Sequence, residues 1–419
     1  MGDLRDALRQ IPLLPRSARY VTNPDMAEVH RIASVWVRGR LKLWEFLLVR
    51  LVDWIWWPFV VHDWMKFINP AFAQLAAKES GRSMAAHKRH VWLTCVRTGA
   101  TPLEYHTLAL HRARAGTRIG DYLFTAPSNR IYQIFFDRIS SATLNRWADK
   151  SAFCDYCAAQ AIPSARVLAV AESGEVTLRE PRESPVWRGD IIMKPNRGSN
   201  GAGFYRWLAQ SDGTFMGALG EAVSLDAVLA QVARVSRRAP MLVQQRLVND
   251  AVTAGLTGGG LATLRVLTGR DAEGRVEVIG AAMKLPVGAA LVDNFQRGNV
   301  LAQIDIATGT MVSGQYWYQW HTPIETHPDT GQKFVGMITP QWRECVELAL
   351  ATHATHLTAV IVAFDIAQTP EGPVIVEVNG RGDLAMLQYP GGRPIGDTAY
   401  PRIVLSHLRG YRGDRVRTI

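Results

Sequence analysis

The pattern of apolar and polar residues changes about a third of the way along the chain. Up to residue 140 the sequence reads as mainly helical, and one helix starts with a capping box in which Thr101 precedes Pro102 and Glu104. From about residue 145, short apolar runs typical of strands are separated by glycine-containing turns and by helical stretches. The pattern predicts an α/β or α+β fold with hairpins after a helical N-terminal region.

The strand predictions rest on short apolar runs rich in branched residues. The runs are ARVLAVA, DIIMKP, MLVQQRL, ATLRVLTG, VEVIGAAMKL, VLAQIDI, AVIVAFDIA and PVIVEVN. Helices are predicted at LDAVLAQVARVS and PQWRECVELALATHATHL. We expect a basic, tryptophan-rich region over 1–140, a subdomain with a glycine loop over 141–240 and a second subdomain over 241–419.

A tryptophan-rich segment runs from Leu41 to Ile68. Glu45, Arg50 and Asp53 interrupt it and Pro58 breaks it, so it does not qualify as a membrane-spanning helix. On a helix its polar residues fall within an arc of roughly 140°, which leaves a wide apolar face; they are Lys42, Glu45, Arg50 and Asp53. The first expectation is burial of this face against the other N-terminal helices. The alternative is a helix lying on a membrane surface.

Charge supports an acidic partner for the N-terminal region. Residues 1–140 hold 20 Lys and Arg against 11 Asp and Glu, whereas the rest of the chain holds 27 against 26. An anionic membrane surface or a phosphorylated substrate fits this surplus, and a solvated basic surface is the alternative. No nucleic acid is expected as a partner, because the region contains no recognisable nucleic-acid-binding motif.

Cysteine usage excludes a disulfide scaffold. Cys154 and Cys157 have the spacing of a redox or half-zinc motif, but no second pair or histidine cluster accompanies them, so we interpret them as packing residues. The first residues lack a long apolar stretch typical of a secretory signal, and a cytoplasmic protein, with peripheral contact at the inner face of the membrane as an option, is the default expectation.

The glycine loop in MKPNRGSNGAGFY follows the predicted strand that ends at Lys194. It matches neither a P-loop nor a dinucleotide fingerprint, and it reads as a hairpin turn. Small residues leave backbone N–H groups free to approach phosphate oxygens, and Lys194 adds a positive charge there. By itself the loop fits a plain hairpin at least as well.

The stretch AFDIAQTPEGPVIVEVNGRGD contains two strands around a turn at Pro370, Glu371 and Gly372. A three-residue loop pairs Thr369 with Pro373, and counting back pairs Asp365 with Glu377 and Ala363 with Asn379. Asp365, Glu377 and Asn379 should therefore project from one face and form an all-oxygen site that suits Mg²⁺. Both carboxylates sit in apolar runs, where an unpartnered charge would be costly.

The same motifs, in the same order, resemble the ATP-grasp superfamily over about Leu144 to Pro390. The stretches LVDNFQRGNVLAQIDIATG, THPDTGQKFVG and RGDLAMLQ look most like its sugar-transfer-associated branch, which is placed near polysaccharide biosynthesis. The resemblance implies two α/β subdomains that sandwich ATP. Many such enzymes begin with a Rossmann-like domain, which residues 1–140 do not resemble, so substrate identity is not carried over.

The resemblance also implies roles for individual residues, with ATP and Mg²⁺ as cofactors. Lys150 and Lys194 would contact the ATP phosphates. Ser199, Asn200 and Gly201 would close over them. Gln244 and Gln245 correspond to the strand that meets adenine, whereas the ribose contact stays open because Asp250 matches only loosely. Arg265 and Lys284 correspond to basic positions near the transferred phosphate, and the metal ligands are Asp365, Glu377 and Asn379.

The main functional hypothesis is a carboxylate–amine ligase that forms an acyl phosphate and then an amide, with small-molecule substrates. A phosphotransferase acting on a sugar or another hydroxyl would have the same metal site. A membrane-bound scaffold with a degenerate nucleotide site is the third hypothesis, and the intact Lys194, Asp365, Glu377 and Asn379 argue against it. The sequence leaves the oligomeric state open.

Overall fold

A computed structural model of the chain describes residues 20–40, 42–112, 118–124, 149–197, 203–217, 220–288, 298–316, 323–380, 384–388 and 393–408. Its helices are α1 (Pro24–Arg40), α2 (Leu43–Trp64), α3 (Pro70–Glu79), α4 (Met84–Thr98), α5 (Pro102–Thr107), α6 (Lys150–Ala159), α7 (Leu225–Ser236), α8 (Ala251–Thr257), α9 (Trp342–His356), α10 (Leu384–Gln388) and α11 (Tyr400–Leu408). The predicted capping box is present at the start of α5.

The strands form two separate antiparallel sheets. They are β1 (Val167–Glu172), β2 (Glu175–Leu178), β3 (Ile191–Pro195), β4 (Tyr205–Ala209), β5 (Phe215–Met216), β6 (Ala222–Val223), β7 (Met241–Gln245), β8 (Thr263–Arg270), β9 (Val276–Leu285), β10 (Val300–Asp305), β11 (Thr310–Tyr316), β12 (Ile361–Thr369) and β13 (Gly372–Asn379). Every apolar run that was predicted as a strand lies in one of these strands, and both predicted helices are present as α7 and α9.

The first sheet has seven strands in the order β2-β1-β7-β3-β4-β5-β6. Strands β3 and β4 pair antiparallel, with Met193 opposite Tyr205, which confirms the predicted hairpin around the glycine loop. One face packs against α7 through a core that includes Met193, Val228 and Val243. Because side chains alternate along a strand, Lys194 and Gln244 belong to the other face.

The second sheet has six strands in the order β11-β10-β9-β8-β12-β13. Alternate residues of β12 enter two different cores: Val362 and Phe364 pack on the side of α9, whereas Ile361 and Ala363 pack on the side of the N-terminal helices. Asp365, two residues after Ala363, shares this second face.

The N-terminal helices share this hydrophobic core with the second sheet and with α11. Met26, Trp57 and Tyr105 belong to the same buried cluster as Tyr400 and Ile403. Polar contacts add to the attachment, since Asp121 accepts hydrogen bonds from the backbone of Thr22 and Asn23, and Arg118 bridges Asp121 to Asp397. The N-terminal region therefore covers part of the face on which Asp365 lies.

Helix α2 packs through a single narrow stripe, formed by Val49, Asp53, Trp57 and Val61. The Trp57 indole donates a hydrogen bond to the carbonyl of Cys95, at 3.0 Å, inside the core. The other large apolar side chains of α2 are mostly exposed, so the first expectation, burial of the wide apolar face, is wrong. Among the helices described, none is long and apolar enough to cross a membrane.

Candidate functional site

The hairpin of β12 and β13 places the predicted oxygen donors side by side. Asp365 lies opposite Glu377, and Ala363 lies opposite Asn379, as the sequence predicts. Glu377 and Asn379 are two residues apart on β13 and so share a face with Asp365. The two carboxylates and the amide therefore project from one side of the second sheet.

The turn of this hairpin differs from the prediction. Thr369 pairs with Gly372 rather than with Pro373, so the turn holds two residues and not three. The register shifts by one residue between Asp365 and Ile366, because β13 carries an extra residue in a bulge there. The bulge cancels the error in the turn, which is why the predicted Asp365–Glu377 pairing is correct although the predicted Thr369–Pro373 pairing is wrong.

A buried ion cluster surrounds Asp365. The guanidinium of Arg265 donates from Nε to Oδ1 and from Nη2 to Oδ2, both at 2.8 Å, and the Lys284 ammonium lies 3.0 Å from Oδ2. Arg265 is directly across from Asp365 on β8, and Lys284 lies on the adjacent strand β9, opposite Thr263. All three charged side chains are buried.

The cluster fixes Asp365 as an anion. Burial alone raises the pKa of this carboxyl group, but the charges of Arg265 and Lys284 and their hydrogen bonds outweigh it and hold the pKa well below its ordinary value. Glu377 lies opposite Asp365, so a second carboxylate lies on the same face as the two cations.

Glu377 and Lys150 connect the cluster to the other half of the molecule. The Glu377 side chain is 39% exposed, and its Oε1 lies 3.8 Å from Nζ of Lys150, the first residue of α6. The backbone N–H of Ile375 also donates to the carbonyl of Pro163, at 2.9 Å. The site therefore lies where the first subdomain approaches the edge strand of the second sheet.

Three predicted residues, Lys150, Lys194 and Gln244, converge near Cys154 on α6. Burial raises the pKa of the Cys154 thiol, while the positive charges of Lys194 and Lys150 act to lower it, so both lysines lie within electrostatic range of that thiol. Gln244 donates from Nε2 to Sγ of Cys154, at 3.4 Å, and to the carbonyl of Ala165, at 3.2 Å. Cys154 and Cys157 are both buried, which confirms the packing interpretation.

The side chains of the two adjacent glutamines lie on opposite faces of the first sheet. Gln244 is buried on the same face as Lys194, whereas Gln245 is exposed and lies opposite Ile191, on the other face. The buried Oε1 of Gln244 has no hydrogen-bond partner within the described part of the chain. An unsatisfied buried acceptor is costly, and a ligand that donates a hydrogen bond there would remove the cost.

Asn196 is a site residue that the sequence interpretation missed. Its Oδ1 accepts from the backbone N–H of Ser151 at 2.8 Å, and its Nδ2 donates to Oδ1 of Asp149 at 3.0 Å. Its own carbonyl accepts from the N–H of Lys150 at 3.1 Å. Asp149 caps α6 by accepting from the N–H of Ala152, so Asn196 ties the end of β3 to the start of that helix.

These hydrogen bonds set the relative position of Lys150, at the start of α6, and Lys194, near the end of β3. The only signal in the sequence is a polar residue immediately after Lys194-Pro195. Ser199, Asn200 and Gly201 lie outside the described residues, so their assigned role remains a prediction.

The model of one family, the sugar-transfer-associated ATP-grasp family, matches residues 133–399 of the chain. The match covers more than half of the sequence. The chain belongs to this family. The resemblance stated from the motifs is thereby confirmed, and with it the ATP-grasp fold, which the two antiparallel sheets and their connecting helices form.

Several solved structures resemble this ATP-grasp protein, all at low sequence identity. Biotin carboxylase from Campylobacter jejuni is 12% identical with a TM-score of 0.39, and the match covers 69% of this chain and 52% of that chain. The L-amino acid ligase from Bacillus licheniformis is 11% identical with a TM-score of 0.35, covering 67% and 53%. D-alanyl-alanine synthetase A from Vibrio cholerae is 13% identical with a TM-score of 0.32, covering 58% and 59%.

The chain thus spans between about half and three-fifths of the length of these solved chains. A search of curated proteins found no match to the chain.

The residues present fit the nucleotide and the metal ion that the family implies. Asp365, Glu377 and Asn379 place hard oxygen donors, which Mg²⁺ prefers, on one face, although both oxygens of Asp365 also accept from Arg265 or Lys284. The ammonium groups of Lys150 and Lys194 suit phosphate oxygens. The unsatisfied Oε1 of Gln244 suits a donor such as the amino group of adenine.

Proposed function

We propose that the protein is an ATP- and Mg²⁺-dependent ligase, which activates a substrate carboxylate as an acyl phosphate and joins it to an amine. The observation that supports this most directly is the buried cluster in which Arg265 and Lys284 hold Asp365 next to Glu377. Family membership supports ATP as the source of the phosphoryl group. The substrate carboxylate and amine are small molecules of unspecified identity.

Residues from both halves of the site would contribute to binding of ATP and Mg²⁺. Lys150 and Lys194 would bind phosphate oxygens from the first subdomain, Gln244 would accept a hydrogen bond from adenine, and Asp365, Glu377 and Asn379 would hold the metal ion. When bound, Mg²⁺ neutralises phosphate charge and orients the oxygens of the triphosphate. The glycine loop, with Ser199, Asn200 and Gly201, is assigned to closure over the phosphates.

The chemistry needs positioned charge and no protein nucleophile. An oxygen of the substrate carboxylate forms a bond to the γ-phosphorus, the bond from that phosphorus to the bridging oxygen breaks, and ADP leaves. Arg265 and Lys284 stabilise the negative charge on the equatorial oxygens during this transfer. The amine nitrogen then attacks the acyl carbon, phosphate leaves with the bonding electrons, and the nitrogen loses a proton to give the amide.

Trapping with hydroxylamine tests this proposal. The purified protein is incubated with Mg·ATP, hydroxylamine and pools of amino acids, sugar acids and hydroxy acids, and ADP and acyl hydroxamates are measured by mass spectrometry. We expect an ATP-dependent hydroxamate, which would also identify the carboxylate. A phosphorylated hydroxyl compound with ADP but without hydroxamate would overturn the ligase in favour of a phosphotransferase.

A further inference from the structure

Helix α2 exposes far more apolar surface than an ordinary surface helix of a globular protein does. Its inward stripe contains Asp53, and the polar arc predicted from the sequence is centred close to this buried side. The opposite side, an arc of roughly 140° on a helical projection, carries large apolar residues such as Leu47, Leu51, Trp54 and Phe59. A surface helix normally buries its apolar side, whereas α2 leaves most of this side exposed.

We call the exposed large apolar side chains from Leu43 to Phe67 the tryptophan face. Trp54 is 72% exposed, Phe59 is 65% exposed and Phe67 is 81% exposed. Of the twenty exposed large apolar side chains among the described residues, eleven belong to this segment. The remainder are scattered over the rest of the described chain, which is normal for a soluble surface. A contiguous apolar surface of this kind marks an interaction site.

The composition of the tryptophan face fits a lipid interface. Trp44, Trp54, Trp56 and Trp64 are exposed on it, and tryptophan concentrates at the boundary between acyl chains and headgroups, where its ring is buried and its N–H stays hydrated. Helices that lie in this boundary bury the apolar side by several ångströms without crossing the bilayer.

Charge around the tryptophan face is complementary to anionic lipid. Lys42 and Arg50 are exposed beside it, and Lys66 is exposed at its end, where it also pairs with Asp63. Helix α4, which packs beside α2, contains the exposed cations Lys88, Arg89 and Arg97 and no acidic residue. Residues 1–140 as a whole carry 20 basic against 11 acidic residues. Such a basic margin adds electrostatic attraction to anionic headgroups.

We infer that the tryptophan face binds the surface of an anionic phospholipid bilayer and holds the protein there as a peripheral protein. The apolar side of α2 lies at the level of the headgroups, and the basic residues beside it contact lipid phosphates. This attachment uses none of the residues assigned to the ATP-grasp site.

Vesicle flotation tests the inference. Full-length protein is mixed with vesicles of phosphatidylcholine containing phosphatidylglycerol, and with pure phosphatidylcholine vesicles, at low and high salt. We expect binding to the anionic vesicles that weakens with salt, and a Trp fluorescence shift to shorter wavelength on binding. The variant W54S/F59S should lower the partition coefficient at least tenfold, with an unchanged thermal unfolding midpoint because both side chains are exposed.

The matched control is V252S/I338S, which removes two exposed apolar side chains from the second subdomain. It should bind vesicles as the original protein does. Absence of binding to anionic vesicles at low salt would overturn the inference, as would equal binding by W54S/F59S. A dimer in sedimentation velocity that W54S/F59S dissociates, without vesicle binding, would assign the tryptophan face to a second copy of the chain instead.

Discussion

Arg265 holds Asp365 through two parallel hydrogen bonds of 2.8 Å each, one to each carboxylate oxygen. The two residues are a hundred positions apart in the sequence and meet because β8 and β12 are adjacent antiparallel strands. A planar guanidinium matches a carboxylate in this geometry better than an ammonium does. The pair is buried, and Lys284 adds a second positive charge to it.

Removing the charge of Asp365 should destabilise the fold. In Asp365→Asn the cations of Arg265 and Lys284 stay buried without their counter-ion, and breaking such a buried pair typically costs about 3–5 kcal/mol. Urea unfolding measures this loss. The control is Asp226→Asn, which breaks an exposed pair with Arg182 and should change the stability little. A stability loss no larger than that of the control would contradict the role of the cluster.

Glu377→Gln should abolish Mg²⁺-dependent turnover while the fold stays intact. The side chain is partly exposed and its ion pair with Lys150 is long, at 3.8 Å, so we expect little folding energy to depend on its charge. A neutral amide binds a divalent cation far more weakly than a carboxylate does. ADP formation at increasing Mg²⁺ measures the effect.

The matched control for that substitution is Glu371→Gln, because Glu371 is an exposed acid in the turn of the same hairpin. It should keep normal turnover. Turnover by Glu377→Gln at the level of the control would rule out Glu377 as a metal ligand.

Asn196→Ala should weaken ATP binding by releasing the first turn of α6. The change removes the hydrogen bonds from Asn196 to Ser151 and Asp149, with an expected stability loss of about 1–3 kcal/mol. Because Lys150 then loses its fixed position, KM for ATP should rise severalfold, with a smaller effect on kcat. Steady-state kinetics separates the two constants.

The control for Asn196→Ala is Asn23→Ala, which removes the hydrogen bonds that Asn23 makes at the start of another helix, α1. Asn23 accepts hydrogen bonds from the backbone of Asp25 and Met26 at the start of α1, far from Lys150 in the sequence. This variant should lose stability but keep the KM for ATP. An unchanged KM in Asn196→Ala as well would leave Asn196 with a structural role only.

Stability should fall in mild acid because of a buried histidine pair in the N-terminal helices. His87 and His106 face each other at 3.2 Å between their Nε2 atoms, so one must be an acceptor and therefore neutral. Burial, with the neighbouring His111, lowers the pKa of both to about 4, against an ordinary value of 6.5. As the pH falls, the unfolded chain therefore binds protons at these two histidines before the folded chain does.

Stability is therefore fully present above pH 6.5 and is lost as the pH falls towards 4, by up to about 1.4 kcal/mol per pH unit for each histidine. Urea unfolding followed by Trp fluorescence at pH 7.5, 6 and 5 measures the slope. His106→Asn should reduce the slope. A slope that stays the same in this variant would show that other groups cause the acid sensitivity.

Local patterns predicted most of the elements because their signals are short-range. The capping box of α5 and the strand runs around Lys194, Arg265 and Asp365 depend on neighbouring residues, and each is present in the structure. The turn at Pro370 was predicted with the wrong length, since the bulge in β13 depends on packing and leaves no signature in the local sequence.

The sequence by itself determined that Glu377 and Asn379 share one face, because side chains on a strand alternate with a period of two. Asp365 joins that face through the bulge in β13, which the tertiary structure decided. Only the tertiary structure decided that Arg265 and Lys284 neutralise Asp365, because the order of the strands in the sheet follows from long-range packing. It also decided that Asp53 and Trp57 of α2 face inward, whereas most of its other large apolar side chains face outward. Periodicity shows that a helix has two faces, but the partner that covers one of them lies elsewhere in the chain.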